Sequence, residues 1–225
     1  QDLLTSKKYA YEIYQEIQEN KISPKVNINI IEGEETTHFS IYDKWGNAVS
    51  NTYTLNTAYG SGIIPTGTGI LMNNEMDDFS SKPGVPNVFG LVGNEANAIE
   101  PNKRPLSSMT PTIILKNNKP FLVIGSPGGS TIITTVMQTI LNVVDHDMDI
   151  KEAVCAARFH SQWLPDVIQI EPRGLAKDVI GNLELRGHKI VPRGGYIGES
   201  NCIMIREEGI YGGGDCRGET SAIGY

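Results

Sequence analysis

The sequence predicts an α+β fold in which antiparallel strand pairs form a sheet and helices pack on it. Segments rich in β-branched and aromatic residues come in two pairs, each joined by a short polar turn. Segments with helical periodicity are grouped and do not alternate one by one with strands, which favours antiparallel pairing. The 225 residues, 39% of them hydrophobic, contain enough apolar material for one large core.

The first predicted element is an amphipathic helix near the N-terminus. Apolar residues recur every four positions from Tyr9 onward, and Thr5 or Ser6 is placed to cap the helix. The helix should stop near Asn20, because the segment 21–35 has no helical period, contains a proline and ends in acidic residues. This segment predicts an exposed connector, the kind of site where proteolysis concentrates.

Two hairpins and a set of helices follow. The first hairpin is predicted for THFSIYD and AVSNTYTL around the turn KWGN, and the second for PTIILK and KPFLVIG around Asn117 and Asn118. A buried helix, capped by Ser130, is predicted from the apolar residues of 132–144. Further helices are predicted in 149–159 and 176–187, and the short strands KIV and NCIMIR complete the chain.

Composition excludes several classes of function. The formal net charge of -7 argues against nucleic-acid binding and leaves small-molecule substrates open. No apolar run is long enough to span a membrane, and the first residues show no signal-peptide pattern. Cys155, Cys202 and Cys216 are odd in number and widely spaced, so they predict neither a disulfide framework nor a zinc site.

Thr36 is the first candidate for chemistry, because it follows the acidic run EGEE. A threonine hydroxyl is a weak nucleophile unless a base takes its proton, and one solution is the residue's own α-amine after cleavage of the Glu35–Thr36 bond. A threonine pair that opens a strand is more often structural. His38 lies on the same strand face, but a single histidine there does not establish a base.

The segment GSPGGS, residues 125–130, is the second candidate. Adjacent glycines at a helix N-terminus let backbone N–H groups converge on an anion. The segment lacks the spacing of a nucleotide P-loop. The interpretations that remain are a tight strand-to-helix turn and an oxyanion hole, with a phosphate cradle less favoured.

Two polar clusters complete the candidates. Glu75, Asp77 and Asp78 form either a solvated turn or a site for a substrate ammonium group. Their spacing does not match a calcium-binding loop. The segment NKRPLSSMTP contains Lys103, Arg104 and a serine pair, which form either a polar loop or a site for a carboxylate. Together the candidates indicate a substrate shaped like an amino acid.

Five segments in this order carry a resemblance to a known family: TTHFSIYDKWGNAVSNTYTLN, NNEMDDFS, PNKRPLSSMTPTI, GSPGGSTIITTV and ARFHSQWLPD. From Thr36 to Tyr225 the chain resembles the small-subunit region of the bacterial γ-glutamyltranspeptidases. Residues 1–35 resemble the tail of the large subunit with an exposed connector. The resemblance implies the αββα sandwich of the N-terminal nucleophile hydrolases, with largely antiparallel sheets between helical layers.

The resemblance also implies roles for individual residues. The family's precursor cleaves itself before Thr36, which becomes the nucleophile, with its freed amine as general base and Thr54 as the residue that orients it. The other implied residues bind the substrate or its transition state: Asn56, Glu75 and Asp78 at the α-amine and α-carboxylate, Ser107 and Ser108 at the α-carboxylate, and Gly128 and Gly129 as donors of the oxyanion hole.

The implied function is γ-glutamyl transfer or hydrolysis. Glutathione or a related compound donates the γ-glutamyl group, and water, an amino acid or a peptide accepts it. No metal or organic cofactor is implied. The large subunit is the implied protein partner, and the implied location is the periplasm or the outside of the cell.

Two other interpretations remain open: an inactive precursor or fragment that binds γ-glutamyl compounds without turnover, and a poly-γ-glutamate depolymerase. The sequence also departs from the family's pattern at two positions. Phe89 stands where many members have a tyrosine that secures the lid over the active site, so we expect Phe89 to fill the space by packing and the lid to close less tightly. Cys216 stands where members commonly have proline.

Overall fold

The structure, a computed structural model, describes residues 6–16 and 36–225. The strands are β1 (Thr36–Tyr42), β2 (Ala48–Thr54), β3 (Thr112–Lys116), β4 (Lys119–Gly125), β5 (Phe159–His160), β6 (Ile168–Ile170), β7 (Ile190–Pro192), β8 (Asn201–Arg206) and β9 (Gly209–Gly214). The α-helices are α1 (Lys7–Glu16), α2 (Ile132–Val144), α3 (Ile150–Cys155) and α4 (Lys177–Leu185). Among these helices, none is long and apolar enough to cross a membrane.

The centre of the fold is an antiparallel sheet with the strand order β3-β4-β8-β9. Helices α2 and α3 pack on one face, where alternate residues of β4 and β8 such as Leu122, Ile124 and Met204 form the core with Val136 and Val154. This burial follows from the alternation of side chains along a strand. The predicted α+β class with largely antiparallel pairing is confirmed. Within residues 6–16 and 36–225, only β6 and β7, in a small third sheet, pair in parallel.

The hairpin of β1 and β2 packs on the other face of the central sheet. The Ser50 hydroxyl donates to the Ile124 carbonyl at 2.8 Å, and the Ser40 hydroxyl donates to the Asn201 carbonyl at 3.1 Å. Such short side chains let the two sheets approach closely. The described residues therefore supply two sheet layers and one helical layer of the predicted sandwich.

Both predicted hairpins are present. Strand β1 pairs with β2 from Thr36 opposite Thr54 to Tyr42 opposite Ala48. In the second hairpin, Asn117 and Asn118 have φ angles of 54° and 60°. Asparagine tolerates this left-handed conformation, which a two-residue hairpin turn requires at both positions.

The first helix is confirmed where the structure describes it. Helix α1 spans Lys7–Glu16, and the Ser6 hydroxyl accepts a hydrogen bond from the N–H of Tyr9 at 3.1 Å, as expected of a cap. The predicted end near Asn20 and the connector 21–35 lie outside the described residues.

Two helix predictions need correction. Ser130 does not cap α2, because a 3₁₀ turn over Gly129–Thr131 comes first and the Ser130 hydroxyl donates to Gln162. The helix predicted for 149–159 ends at Cys155, because Ala156 turns to extended backbone and the chain continues into β5.

The cysteine spacing indicated no disulfide framework and no role for the cysteines, but the structure contains one disulfide. Cys155 and Cys216 are joined by a disulfide across 61 positions, with their Cα atoms 5.3 Å apart. The spacing could not indicate this pair, because α3 and the segment after β9 meet only in the folded chain. Cys202 is a buried thiol.

A buried ionic network lies beside this disulfide. The Arg217 guanidinium pairs with Glu171 at 2.7 Å and with Asp215 at 2.9 Å, and Arg158 pairs with Asp215 at 2.7 Å. Arg158 also donates to the Gly198 carbonyl at 3.2 Å. Charges this deeply buried are tolerated because each has partners of opposite sign and further hydrogen bonds.

Candidate active site

Thr36 and Thr54 are held together by the pairing of β1 and β2. They are opposite each other at one end of the hairpin, and the Thr36 Oγ1 donates to the Thr54 Oγ1 at 3.2 Å. The Thr54 Oγ1 also accepts a hydrogen bond from the N–H of Asn56 at 2.9 Å. The orientation of the Thr36 hydroxyl is therefore set by strand register together with a side-chain hydrogen bond.

Asn56 connects this pair to the acidic cluster. It is buried and has a φ angle of 77°, a left-handed conformation that turns the chain out of β2. Its side-chain amide donates to the Asn74 carbonyl at 3.2 Å, and the N–H of Asn74 donates to the Leu55 carbonyl at 3.1 Å. These bonds place Glu75, the residue after Asn74, beside the Thr54 end of the hairpin.

Glu75 and Asp78 interact through their carboxyl groups, and both have a raised pKa. They lie at the two ends of one 3₁₀ turn, and their carboxyl groups are hydrogen-bonded to each other. Burial, the negative charge of Asp78 and this hydrogen bond raise the pKa of Glu75 to about 7. Burial also raises the pKa of Asp78, and the charge of Asp77 adds to that effect. A cation bound between the two carboxyl groups would favour their ionised forms.

A cavity of about 250 Å³ brings Asp78 together with the serine pair. Ser107 and Ser108 both line it, and so does Ile133 from the first turn of α2. Lys103 and Arg104 do not line it, and Lys103 instead forms an ion pair with Glu100 at 2.8 Å.

Asn97 is a site residue that sequence reasoning missed. Its side-chain amide donates to the Asp78 carbonyl at 2.7 Å, and its Oδ1 accepts a hydrogen bond from the N–H of Leu106 at 2.9 Å. It thereby fixes the acidic turn to the loop that carries Ser107 and Ser108. No spacing pattern could have indicated this role, because the two segments are 19 and 9 positions away from Asn97.

The segment around Phe89 forms one wall of the cavity. Asn87 accepts hydrogen bonds from the N–H groups of Phe89 and Leu91, and Asp77 accepts one from the N–H of Val88 at 2.9 Å. The Phe89 side chain is 5% exposed, so it packs as predicted. Asp77 therefore anchors this wall, and both Asp77 and Asp78 line the cavity.

Gly128 and Gly129 form the turn between β4 and α2. Their φ angles are 131° and 55°, and a side chain on Gly128 would approach the Thr131 hydroxyl to 2.6 Å and the Gly198 backbone to 3.2 Å. Glycine is therefore required by both conformation and space. Strand β4 ends at Gly125, where the ring of His38 leaves no room for a side chain.

His38 is buried and has partners at both ring nitrogens. Its Nδ1 lies 2.8 Å from the Thr52 hydroxyl, and its Nε2 lies 3.1 Å from the Ser40 hydroxyl. Burial lowers the pKa of His38 to about 4, so the ring is neutral at neutral pH. These contacts join β1, β2 and, through Ser40, strand β8, which is a structural role and not that of a base for Thr36.

The family model described as Gamma-glutamyltranspeptidase matches residues 1–225. The chain belongs to the γ-glutamyltranspeptidase family. Among the curated members, it is 50% identical over 220 residues to the glutathione hydrolase proenzyme of Escherichia coli strain K12, covering 95% of this chain and 38% of that protein. It is 44% identical over 218 residues to the Pseudomonas aeruginosa proenzyme, covering 96% and 39%. The chain thus spans about two fifths of the length of these γ-glutamyltranspeptidase relatives.

Solved γ-glutamyltranspeptidase structures share the fold. A point mutant of the Helicobacter pylori enzyme matches with a TM-score of 0.78 at 59% identity, covering 81% of this chain and 100% of that chain. The Pseudomonas nitroreducens enzyme complexed with L-DON matches with a TM-score of 0.79 at 46% identity, covering 84% and 99%. These matches confirm the family and the fold class.

Proposed function

We propose that the precursor containing this chain is a γ-glutamyl transferase and hydrolase acting on glutathione and related γ-glutamyl amides. The observation that carries the proposal is the continuous set of contacts from the Thr36 hydroxyl through Thr54 and Asn56 to the acidic pair. The curated relatives named glutathione hydrolase proenzyme support it. In this proposal, residues 36–225 are the small subunit and residues 1–35 end the large one.

The proposed reaction starts with cleavage of the Glu35–Thr36 bond, which frees the Thr36 α-amine. This amine takes the proton from the Thr36 Oγ1 as the oxygen attacks the γ-carbonyl carbon of the donor. The N–H groups of Gly128 and Gly129 stabilise the oxyanion that forms. When the C–N bond breaks, the leaving amine receives the proton, and a γ-glutamyl ester of Thr36 remains.

The second half of the reaction repeats these steps with a different nucleophile. Water attacks the ester and releases glutamate, or the amine of an amino acid or peptide attacks it and forms a new γ-glutamyl amide. In both cases the attacking group gives its proton to the Thr36 amine, and the proton then returns to Oγ1. Each step uses a group of the protein chain or of the substrates, so the mechanism calls for no cofactor.

Substrate binding in this proposal depends on the polar groups around the cavity. Glu75 and Asp78 bind the α-ammonium of the γ-glutamyl group by charge-assisted hydrogen bonds. Ser107 and Ser108 bind its α-carboxylate, and Asn56 contributes at the same end of the substrate. This arrangement directs the γ-carbonyl of the donor toward Thr36.

We also propose that the protein works in the periplasm or outside the cell. The Cys155–Cys216 disulfide supports this location, because disulfides persist in oxidising compartments and are rare in the cytosol.

The test uses the full-length precursor and its Thr36→Ala variant. Intact mass and N-terminal sequencing should show a new terminus at Thr36 only in the wild type, and only the cut protein should hydrolyse glutathione. A wild type that stays uncut, or γ-glutamyl hydrolysis by pure Thr36→Ala protein, would overturn the proposal. Product analysis with poly-γ-glutamate in place of glutathione tests the depolymerase alternative.

A further inference from the structure

A chain of buried polar contacts joins the glycine turn to the segment after β5. Ser130, which directly follows Gly129, donates its hydroxyl hydrogen to the Gln162 Oε1 at 2.6 Å. The His160 Nε2 lies 2.8 Å from the same oxygen, and its Nδ1 lies 2.7 Å from the Thr134 hydroxyl on α2. Ser130 and His160 are 4% and 2% exposed.

The chemistry of these groups fixes the direction of the contacts. An amide oxygen only accepts hydrogen bonds, so both the Ser130 hydroxyl and the His160 Nε2 must donate to Gln162. The Gln162 Nε2 donates to the Leu164 carbonyl at 3.0 Å. A flipped amide would direct its oxygen at the Leu164 carbonyl, which is also an acceptor, so only one orientation of Gln162 satisfies all of these groups.

The glycine turn needs such an anchor. Two consecutive glycines have little intrinsic preference for one backbone conformation, and their N–H directions must be set by neighbouring contacts. Thr131 provides contacts to Gly128, because the N–H and the hydroxyl of Thr131 donate to the Gly128 carbonyl at 3.0 and 2.7 Å. The side chain that follows Gly129 is held by Gln162.

We propose that Gln162 is a positioning residue for the oxyanion hole. It holds Ser130, and through Ser130 it fixes the direction of the Gly128 and Gly129 N–H groups toward the reacting carbonyl. The inference rests on the proposed function, because it assumes γ-glutamyl transfer at Thr36. It adds a role for the ARFHSQWLPD segment, which the proposed mechanism leaves without one.

The expected consequence is a loss in kcat with little change in the donor KM. Oxyanion contacts form fully only in the transition state, whereas Glu75, Asp78 and the serine pair bind the ground state from other elements of the fold. Complete loss of one oxyanion donor costs ~10²–10³ in kcat. A displaced donor retains part of its effect, so Gln162→Leu should lower kcat by about 10- to 100-fold.

The experiment measures kcat and KM for glutathione with full-length enzyme that has matured. The variants are Gln162→Leu, Ser130→Ala and their combination. The matched control is Gln169→Leu, which removes a glutamine of β6 whose side-chain oxygen accepts a hydrogen bond from Arg193. If Gln162 acts through Ser130, both single variants lose kcat, the double variant is no worse than the poorer single one, and the control keeps the wild-type kcat.

Other outcomes are equally decisive. An unchanged kcat in Gln162→Leu, additive losses in the double variant, or a loss seen mainly in KM would each overturn the inference. If Gln162→Leu fails to fold or mature, Ser130→Ala decides, because it removes the same hydrogen bond from the side of the turn. A wild type without turnover would overturn the proposed function itself, whereas an active wild type with a fully active Gln162→Leu variant overturns only this inference.

Discussion

The raised pKa of Glu75 predicts how the catalytic efficiency of the proposed enzyme depends on pH. In the free enzyme, the pKa of Glu75 is about 7 because of burial, the charge of Asp78 and their hydrogen bond. An ammonium group binds best when both carboxyl groups are ionised. Efficiency should therefore fall as pH decreases through this pKa and Glu75 takes up its proton.

The size of the effect follows from the titration of one group. With a pKa of about 7, Glu75 is ionised in about one tenth of the molecules at pH 6 and in about nine tenths at pH 8. The ionisation of Glu75 alone should therefore raise kcat/KM about tenfold between these values. Asp78→Asn removes the two smaller causes of the shift and leaves burial, which is the largest, so the pKa of Glu75 should fall part of the way toward its ordinary value and the midpoint of the rise should move to lower pH.

The assay is steady-state hydrolysis of a chromogenic γ-glutamyl anilide between pH 5.5 and 9. The Thr36 amine must also be neutral to act as a base, and α-amines titrate near ~7.7–8.0. The protonation of the Thr36 amine affects both kcat and kcat/KM. The protonation of Glu75 affects only kcat/KM, because the ammonium group of a bound substrate keeps Glu75 ionised. Glu75→Gln should remove the part of the pH dependence of kcat/KM that comes from Glu75 and leave the part that comes from the Thr36 amine. A kcat/KM midpoint that does not move in Asp78→Asn would refute the reasoning.

Three further predictions concern the scaffold and the nucleophile. Replacing Cys155 and Cys216 by serine should lower the free energy of unfolding by up to about 4 kcal/mol, given the 61-residue separation that the disulfide closes, as measured by denaturant unfolding of the full-length precursor. Unfolding midpoints that do not differ with and without reductant would contradict this. Thr54→Val removes the hydrogen bond to Thr36 and should lower kcat of the matured enzyme about fivefold to tenfold, while Thr54→Ser retains it. Arg217→Met leaves two buried carboxylates without this partner and should cost about 3–5 kcal/mol in the same unfolding assay; a loss below about 1 kcal/mol would be evidence against the ionic network.

Local patterns were sufficient to predict the strands of both hairpins as well as β7 and β8, but not the strands β5, β6 and β9 or the contacts between distant segments. Both hairpins follow from alternation and turn residues, which act over a few positions, and the structure confirms them. The Cys155–Cys216 pair joins residues that only the tertiary fold brings together.

The candidate site divides in the same way. The acidic turn and the serine pair could be identified as clusters in the sequence, and the structure brings Asp77 and Asp78 of the turn to one cavity with Ser107 and Ser108, whereas Glu75 lies outside its lining. Asn97, which joins them, lies in an ordinary polar segment and had no signal of its own. The prediction that Ser130 caps α2 failed because its hydroxyl has a better acceptor in Gln162, 32 positions away. The local preference of serine for the start of a helix correctly indicated a hydrogen-bonding role for Ser130, but it could not indicate that the partner is Gln162.

The position of Thr36 at the start of β1 has a consequence for maturation. Strand β1 is held to β2 by seven residue pairs, and Thr36 is itself one of them. In the proposed mechanism, cutting the bond before Thr36 therefore adds an amine but leaves the hydroxyl where the hairpin holds it. The conformational entropy of the nucleophile is lost during folding and not again in each turnover. In the proposed mechanism, maturation therefore requires no new placement of the Thr36 hydroxyl itself.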